Sequence, residues 1–209
     1  MLSSSLVAVI PNGERSYSCA TVLAGLVVGA AATDFFTVTG KDGFIQRIQR
    51  VIITGVATAA QIAMIAGIKR STANTAGTAT SLIPVLRDAT GGPPQAAAPG
   101  QAPTGLNTYL PSTALVQAYT VPPTVGTATP PQGGTLFNRP LSLATVSATV
   151  VAGAELFLDF TTDGNLALPT LRGSGDVFAL NFNGATIAGA TVNVSISFTE
   201  TAAQPGALA

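Results

Sequence analysis

Residues 192–198 read Val-Asn-Val-Ser-Ile-Ser-Phe, with large apolar side chains strictly alternating with small polar ones. Successive side chains of an extended strand point to opposite faces. The pattern therefore puts Val192, Val194, Ile196 and Phe198 on one face and Asn193, Ser195, Ser197 and Thr199 on the other, which no helix of period 3.6 would do. The same period recurs at Leu156, Leu158 and Phe160, and at Phe178, Leu180 and Phe182. Asn183-Gly184 follows the latter run and supplies residues that tolerate positive φ in a tight turn. Asp34–Thr39 and Phe44–Gly55 flank Gly40-Lys41-Asp42-Gly43 and read as a hairpin. Thr58–Arg70, Ala114–Thr120 and Leu141–Val151 read as further strands, and Ser81–Asp88 as one short helical turn. Eight or so strands with almost no helical periodicity predict an all-β chain, an antiparallel β-sandwich of jelly-roll type.

Composition narrows what such a sandwich can do. The 209 residues include 9 basic and 9 acidic side chains, one cysteine, and neither histidine nor tryptophan. Without histidine there is no Ser-His-Asp or Cys-His machinery and no histidine metal ligand. A single cysteine excludes an intrachain disulfide and any multi-cysteine metal site, and a lone thiol suits assembly in a reducing cytoplasm. Balanced charge argues against direct nucleic-acid binding, whose affinity rests on basic side chains. Only 9% of residues are charged against about 25% in ordinary domains. So weakly charged a surface keeps free monomers apart poorly, which points to a chain that works assembled. The 35 Ala, 28 Thr and 22 Gly suit close packing. Residues 1–90 carry seven basic and four acidic groups and residues 91–209 two and five, an asymmetry suited to contacts between copies.

No segment reads as a membrane span or an export signal. The longest apolar run, Cys19–Ala32, has 14 residues against about 20 for a spanning helix, and Met1–Ile10 lacks the positive charge of a signal peptide. The expected organisation is an N-terminal segment 1–33 and a single sandwich domain 34–209, interrupted by a Pro/Gly-rich extension at about 89–113. Eleven of the 14 prolines fall between Pro84 and Pro140, and Ala89–Ser112 holds few large apolar residues beyond Leu106, Tyr109 and Leu110. Such a stretch cannot offset an ordering cost of roughly 1–2 kcal/mol per residue by its own burial. It is expected to lie on neighbouring subunits or along its own sandwich.

The candidate sites each have a plainer reading. Glu155, Asp159 and Asp163 are the one close group of carboxylates. Four residues along a strand separates Glu155 from Asp159 by about 13 Å, too far for a retaining glycosidase. Asp159, Asp163 and Asn165 carry oxygen ligands suited to calcium, but Asp and Asn also serve turn geometry. Lys69-Arg70 could touch a phosphate but reads better as a solvated strand end or an intersubunit salt bridge, and Arg47 and Arg50 as residues on opposite strand faces, one of which must pair or leave the core. Asn193-Val194-Ser195 fits a glycosylation sequon but reads as a polar strand face. Gly173-Ser174-Gly175 lacks the spacing of a nucleophile elbow, and Cys19 reads as a small buried hydrophobe. No catalytic, cofactor or metal residue is assigned.

Four stretches carry a resemblance: Asp34-Phe35-Phe36-Thr37-Val38-Thr39-Gly40, Arg47-Ile48-Gln49-Arg50-Val51, Gly55-Val56-Ala57-Thr58-Ala59-Ala60, and Ile68-Lys69-Arg70-Ser71-Thr72-Ala73-Asn74-Thr75. Over roughly residues 30–80 the chain resembles small Ala/Thr-rich structural proteins of tailed bacteriophages. The turn Asn183-Gly184-Ala185-Thr186 and the strand after it are in the same style, while Ala89–Pro140 departs from it. The resemblance implies a virion component assembled in the bacterial host cytoplasm: a capsid decoration (cement) protein, or a head, neck or tail fibre subunit that binds a host receptor or polysaccharide. The implied partners are copies of itself, as a homo-oligomer expected to be a trimer, and the major capsid protein or other virion proteins. No catalytic residues come with it. An enzymatic or sugar-binding jelly roll is disfavoured by the missing Trp and His.

Overall fold

A computed structural model describes residues 14–28, 33–87, 112–129, 133–145, 155–162, 168–184 and 186–203. Twelve strands follow in chain order: β1 (Arg15–Val28), β2 (Asp34–Thr39), β3 (Phe44–Ala57), β4 (Gln61–Arg70), β5 (Thr78–Leu82), β6 (Val85–Leu86), β7 (Leu115–Val121), β8 (Gly134–Thr145), β9 (Glu155–Asp159), β10 (Thr170–Leu171), β11 (Val177–Asn181) and β12 (Ile187–Ala202). One layer runs β6-β1-β12-β3, with β10 and β9 along the far edge of β3. The other runs β5-β7-β2-β11-β4-β8. They join where Val56 and Ala57 of β3 pair in parallel with Ala144 and Thr145 of β8, and every other strand pair is antiparallel. The protein is all-β, as the alternation predicts. The jelly-roll path stays an expectation of the sequence. No helix occurs among the described residues.

β12 is the spine of the first layer. It pairs with β1 from Arg15↔Glu200 to Val28↔Ile187 and with β3 from Thr191↔Val56 to Ala202↔Phe44. Val192, Val194, Ile196 and Phe198 are buried as the alternation predicts; on the other face Asn193 is exposed and Ser195 half-buried, but Ser197 and Thr199 are buried as well. The apolar faces of both layers meet in one core. Phe160, just after β9, packs edge-on against Phe178 of β11 with ring centroids 6.3 Å apart, and lies 5.9 Å from Phe137 of β8. Phe137 in turn fills the space over its cross-strand partner Gly67, where any Cβ would collide with the ring. Aromatic burial of this kind supplies much of a core's stability.

Several local expectations are corrected. The division at residue 33 does not hold, because β1 pairs with β12 inside the sandwich from Arg15 onward. Its irregular mixture of Ala, Gly and Thr hid it, and two register shifts beyond Leu23 break its alternation. The Gly40–Gly43 turn makes no hairpin: β2 pairs with β7 and β11 while β3 pairs with β12, so the turn carries the chain between layers. Asn183 and Gly184 do adopt positive φ (51° and 78°), but they too connect strands of different layers. No helical turn forms at 81–87, where Ser81 and Leu82 end β5 and Val85 and Leu86 form β6.

Arg47 and Arg50 do not occupy opposite faces. A β-bulge shifts the register from Arg50↔Ser197 to Ile48↔Phe198, leaving Gln49 unmatched, so the buried positions change from Gln46 and Ile48 to Val51, Ile53 and Ala57. Both arginines thereby leave the core. β8 starts at Gly134, seven residues earlier than the alternation suggests, and runs through Pro140. A proline is tolerated there because β8 bonds only β4 along that stretch and reaches β3 with its last two residues. Residues 89–111 of the Pro/Gly-rich extension and the end of the strand expected to run to Val151 lie outside the described residues, while Ser112 and Thr113 are described.

Candidate interaction surface

Many charged side chains are spent on one another. Among the described residues four ion pairs take up eight charged groups: Arg47–Glu14 (3.4 Å), Arg50–Asp159 (3.1 Å), Lys69–Asp176 (3.0 Å) and Arg70–Asp34 (2.6 Å). Lys69 and Arg70 thus pair within the chain, rather than forming a solvated strand end or the expected bridge between subunits. Asp34 is buried and also accepts from Asn74 Nδ2 (2.9 Å) and Asn181 Nδ2 (2.7 Å). Arg70 Nη1 donates to the Gly126 carbonyl (2.8 Å), and the Gly126 N–H donates to Asn74 Oδ1 (2.9 Å). The closed circuit fixes the segments after β4 and β7 to the start of β2.

A second buried carboxylate holds the return point of the Pro/Gly-rich extension. Glu200 of β12 accepts from the Thr113 N–H (3.0 Å), Thr113 Oγ1 (2.8 Å), Ser112 Oγ (3.2 Å) and Gln46 Nε2 (3.1 Å). At the departure point the Arg87 N–H donates to the Ser16 carbonyl (2.7 Å), and Arg15, beside Ser16, is the register partner of Glu200. Both ends of 88–111 are thus tied to one end of the β1–β12 ladder.

The carboxylate group splits. Glu155 opens β9 opposite Thr54, and Asp159 closes it opposite Arg50. Asp159 accepts from the Thr161 N–H and hydroxyl as well as from Arg50 Nη2. The Thr161 bonds first, and the Arg50 guanidinium second, pull its pKa down to about 2. That is a turn-capping carboxylate rather than a general acid. Asp163 and Asn165 lie outside the described residues, among which no cluster of three His, Cys, Asp or Glu side chains could hold a metal. Ser174 donates from N–H and Oγ to Asp42, tying the 173–175 turn to the Gly40–Gly43 turn, and the Ser174 bonds lower the Asp42 pKa. Cys19 is buried, and desolvation pushes its thiol up to about 11, which leaves it inert. Asn193 bonds Thr54 Oγ1 in mid-strand (3.2 Å).

What remains is the outward face of the first layer. Cross-strand register aligns Ala20, Ser195, Ile52 and Phe157 in one row, and Val22, Asn193, Thr54 and Glu155 in the next. Ala20, Val22, Ile52, Thr54, Asn193 and Ser195 line a shallow depression of ≈ 360 Å³. Val22 is 62% exposed and Phe157 49%, and the Arg50 guanidinium lies 5.4 Å from the Phe157 ring centroid. The face presents apolar groups to solvent among small polar side chains, with Glu155 and Arg50 as its charged neighbours. The sequence alone did not single it out, because it is assembled from four strands distant in the chain, β1, β12, β3 and β9. Comparison with family models, curated proteins and solved structures finds no match to this chain.

Proposed function

We propose that this chain is a non-enzymatic structural subunit of a tailed-bacteriophage virion, a decoration (cement) protein that stabilises the head shell as a homo-oligomer bound to the major capsid protein. The observation that carries the reading is the outer face of the first layer, where Val22 and Phe157 are exposed beside a half-buried Ile52. Flat apolar faces rimmed by polar groups suit contact with other proteins. Repetition over a symmetric shell turns modest contacts into stable occupancy. The resemblance over residues 30–80 supplies the virion context.

A head, neck or tail fibre subunit that binds a host receptor or polysaccharide is the second reading. It is favoured by the anchoring of Arg87 and Thr113, on either side of 88–111, at one end of the β1–β12 ladder.

The test is to charge the outer face. Val22→Lys with Phe157→Lys should leave the melting temperature within a few degrees of the parent, since both side chains are solvent-exposed, while particle occupancy falls at least tenfold. Full occupancy by the folded double variant would remove the face from the account.

A further inference from the structure

The strands at the two ends of the strand order, β6 and β5, are protected very differently. β6 is two residues long and lies between Pro84 and the charged Arg87, a combination that discourages pairing with another chain. β5, at the other edge, has five residues and among the described residues pairs only with β7. From Ser71 to Ile83 the sequence contains no charged residue and no proline. Thr78, Ala79, Thr80 and Ser81 are all exposed, and the strand runs out into Ile83, which is 77% exposed. Unpaired N–H and C=O groups on an uncharged strand edge are a template for another strand.

From this contrast we infer that β5 is a self-association edge, on which the β5 of a second copy pairs antiparallel across a two-fold axis at Thr80. The occupant is set by self-complementarity. With the axis at Thr80, each Thr80 faces its equivalent, Ala79 faces Ser81, Thr78 faces Leu82, and no charge meets a like charge. Ile83 of each copy comes opposite Gly77 of the other. Gly77 has no side chain to obstruct it and packs against Val121 and Pro123. Val121 is itself 51% exposed and stands opposite Thr78, so it comes onto the same face as Leu82 of the second copy, which faces that Thr78. A five-residue strand pair buries only a few hundred Å², well below the roughly 1,600 Å² of a standard interface, so the contact forms at high local concentration rather than as a tight free dimer. Because it is isologous it makes pairs; a three-fold ring requires a different interface.

The inference rests on the assembling-subunit reading only in taking a second copy as the partner. Its test uses purified full-length chain, so it fails or succeeds independently of particle occupancy. In a Cys19→Ala background, Thr80→Cys places two thiols across the axis at Cα separations within disulfide range. Mild oxidation at high protein concentration should give Thr80–Thr80 linked dimers at least tenfold faster than Ser142→Cys, an exposed position on β8. Thr80→Lys should weaken concentration-dependent association in sedimentation with an unchanged circular dichroism spectrum. Cross-linking no faster than the Ser142 control overturns the inference. So does Thr80→Cys pairing instead with a cysteine placed in the uncharged N-terminal stretch, at Val7→Cys, which would make that stretch the occupant.

Discussion

The Arg70 guanidinium grips the Asp34 carboxylate at two points, Nε to Oδ2 at 2.7 Å and Nη2 to Oδ1 at 2.6 Å, with both side chains buried. Desolvating two charges is costly, and here the cost is offset by geometry and by the further bonds from Asn74, Asn181 and Gly126. Removing one partner strands the other. Arg70→Met should destabilise the fold by about 3–5 kcal/mol, read as a fall in the urea midpoint. The double variant Arg70→Met/Asp34→Leu should recover part of that loss, because no unpaired charge remains buried.

Glu200 makes a different prediction, since donors rather than a cation surround it. Glu200→Gln keeps the shape but turns one acceptor oxygen into a donor amide facing the Thr113 N–H, Thr113 Oγ1 and Ser112 Oγ. The expected cost is about 1–3 kcal/mol. Amide exchange should locate it: the Thr113 N–H should lose protection, while the centre of β12 near Val194 keeps its own.

Acid should loosen two turns before it unfolds the core. Asp159, drawn down to about 2 by Thr161 and Arg50, and Asp42, lowered by Ser174, both have folded pKa values below the ordinary carboxylate value near 4. Groups with depressed folded values contribute stability that is complete above about pH 4 and lost as pH falls towards 2. Thermal midpoints measured from pH 5 to pH 2 should decline over that window, and the slope should be shallower in Asp159→Asn and in Asp42→Asn.

The strand faces of β12 can be checked with one pair of substitutions. Ile196→Asp puts a charge into the core at a position 1% exposed and should abolish cooperative folding. Ser195→Asp, on the outer face, should change stability by less than about 1 kcal/mol. Soluble, folded Ile196→Asp would show the faces to be reversed.

What the sequence disclosed, and what it hid, follows from the range of the interactions. The alternation at Val192–Phe198 and Phe178–Phe182 is a local imprint of burial on one face, so those strands and their inward residues were legible. β1 was not, because its register shifts past Leu23 interrupt the period. The Gly40–Gly43 and Asn183–Gly184 turns were recognisable as turns, but turn chemistry does not say whether the next strand pairs with the last or crosses to the other layer. The bulge at Gln49 was invisible for a similar reason: it shows only against β12, about 150 residues away. The apolar outer face joins β1, β3, β9 and β12, so no window of sequence contains it. The shortage of charge, by contrast, was plain from composition, and the ion pairs show where much of it went.

The most direct measurement is to count this chain in purified particles by quantitative mass spectrometry against the major shell protein. A decoration protein should be present at hundreds of copies in fixed proportion to the shell subunit, and a fibre subunit at about a dozen. Particles devoid of the chain, with the protein staying a dissolved single molecule at high concentration, would contradict the account.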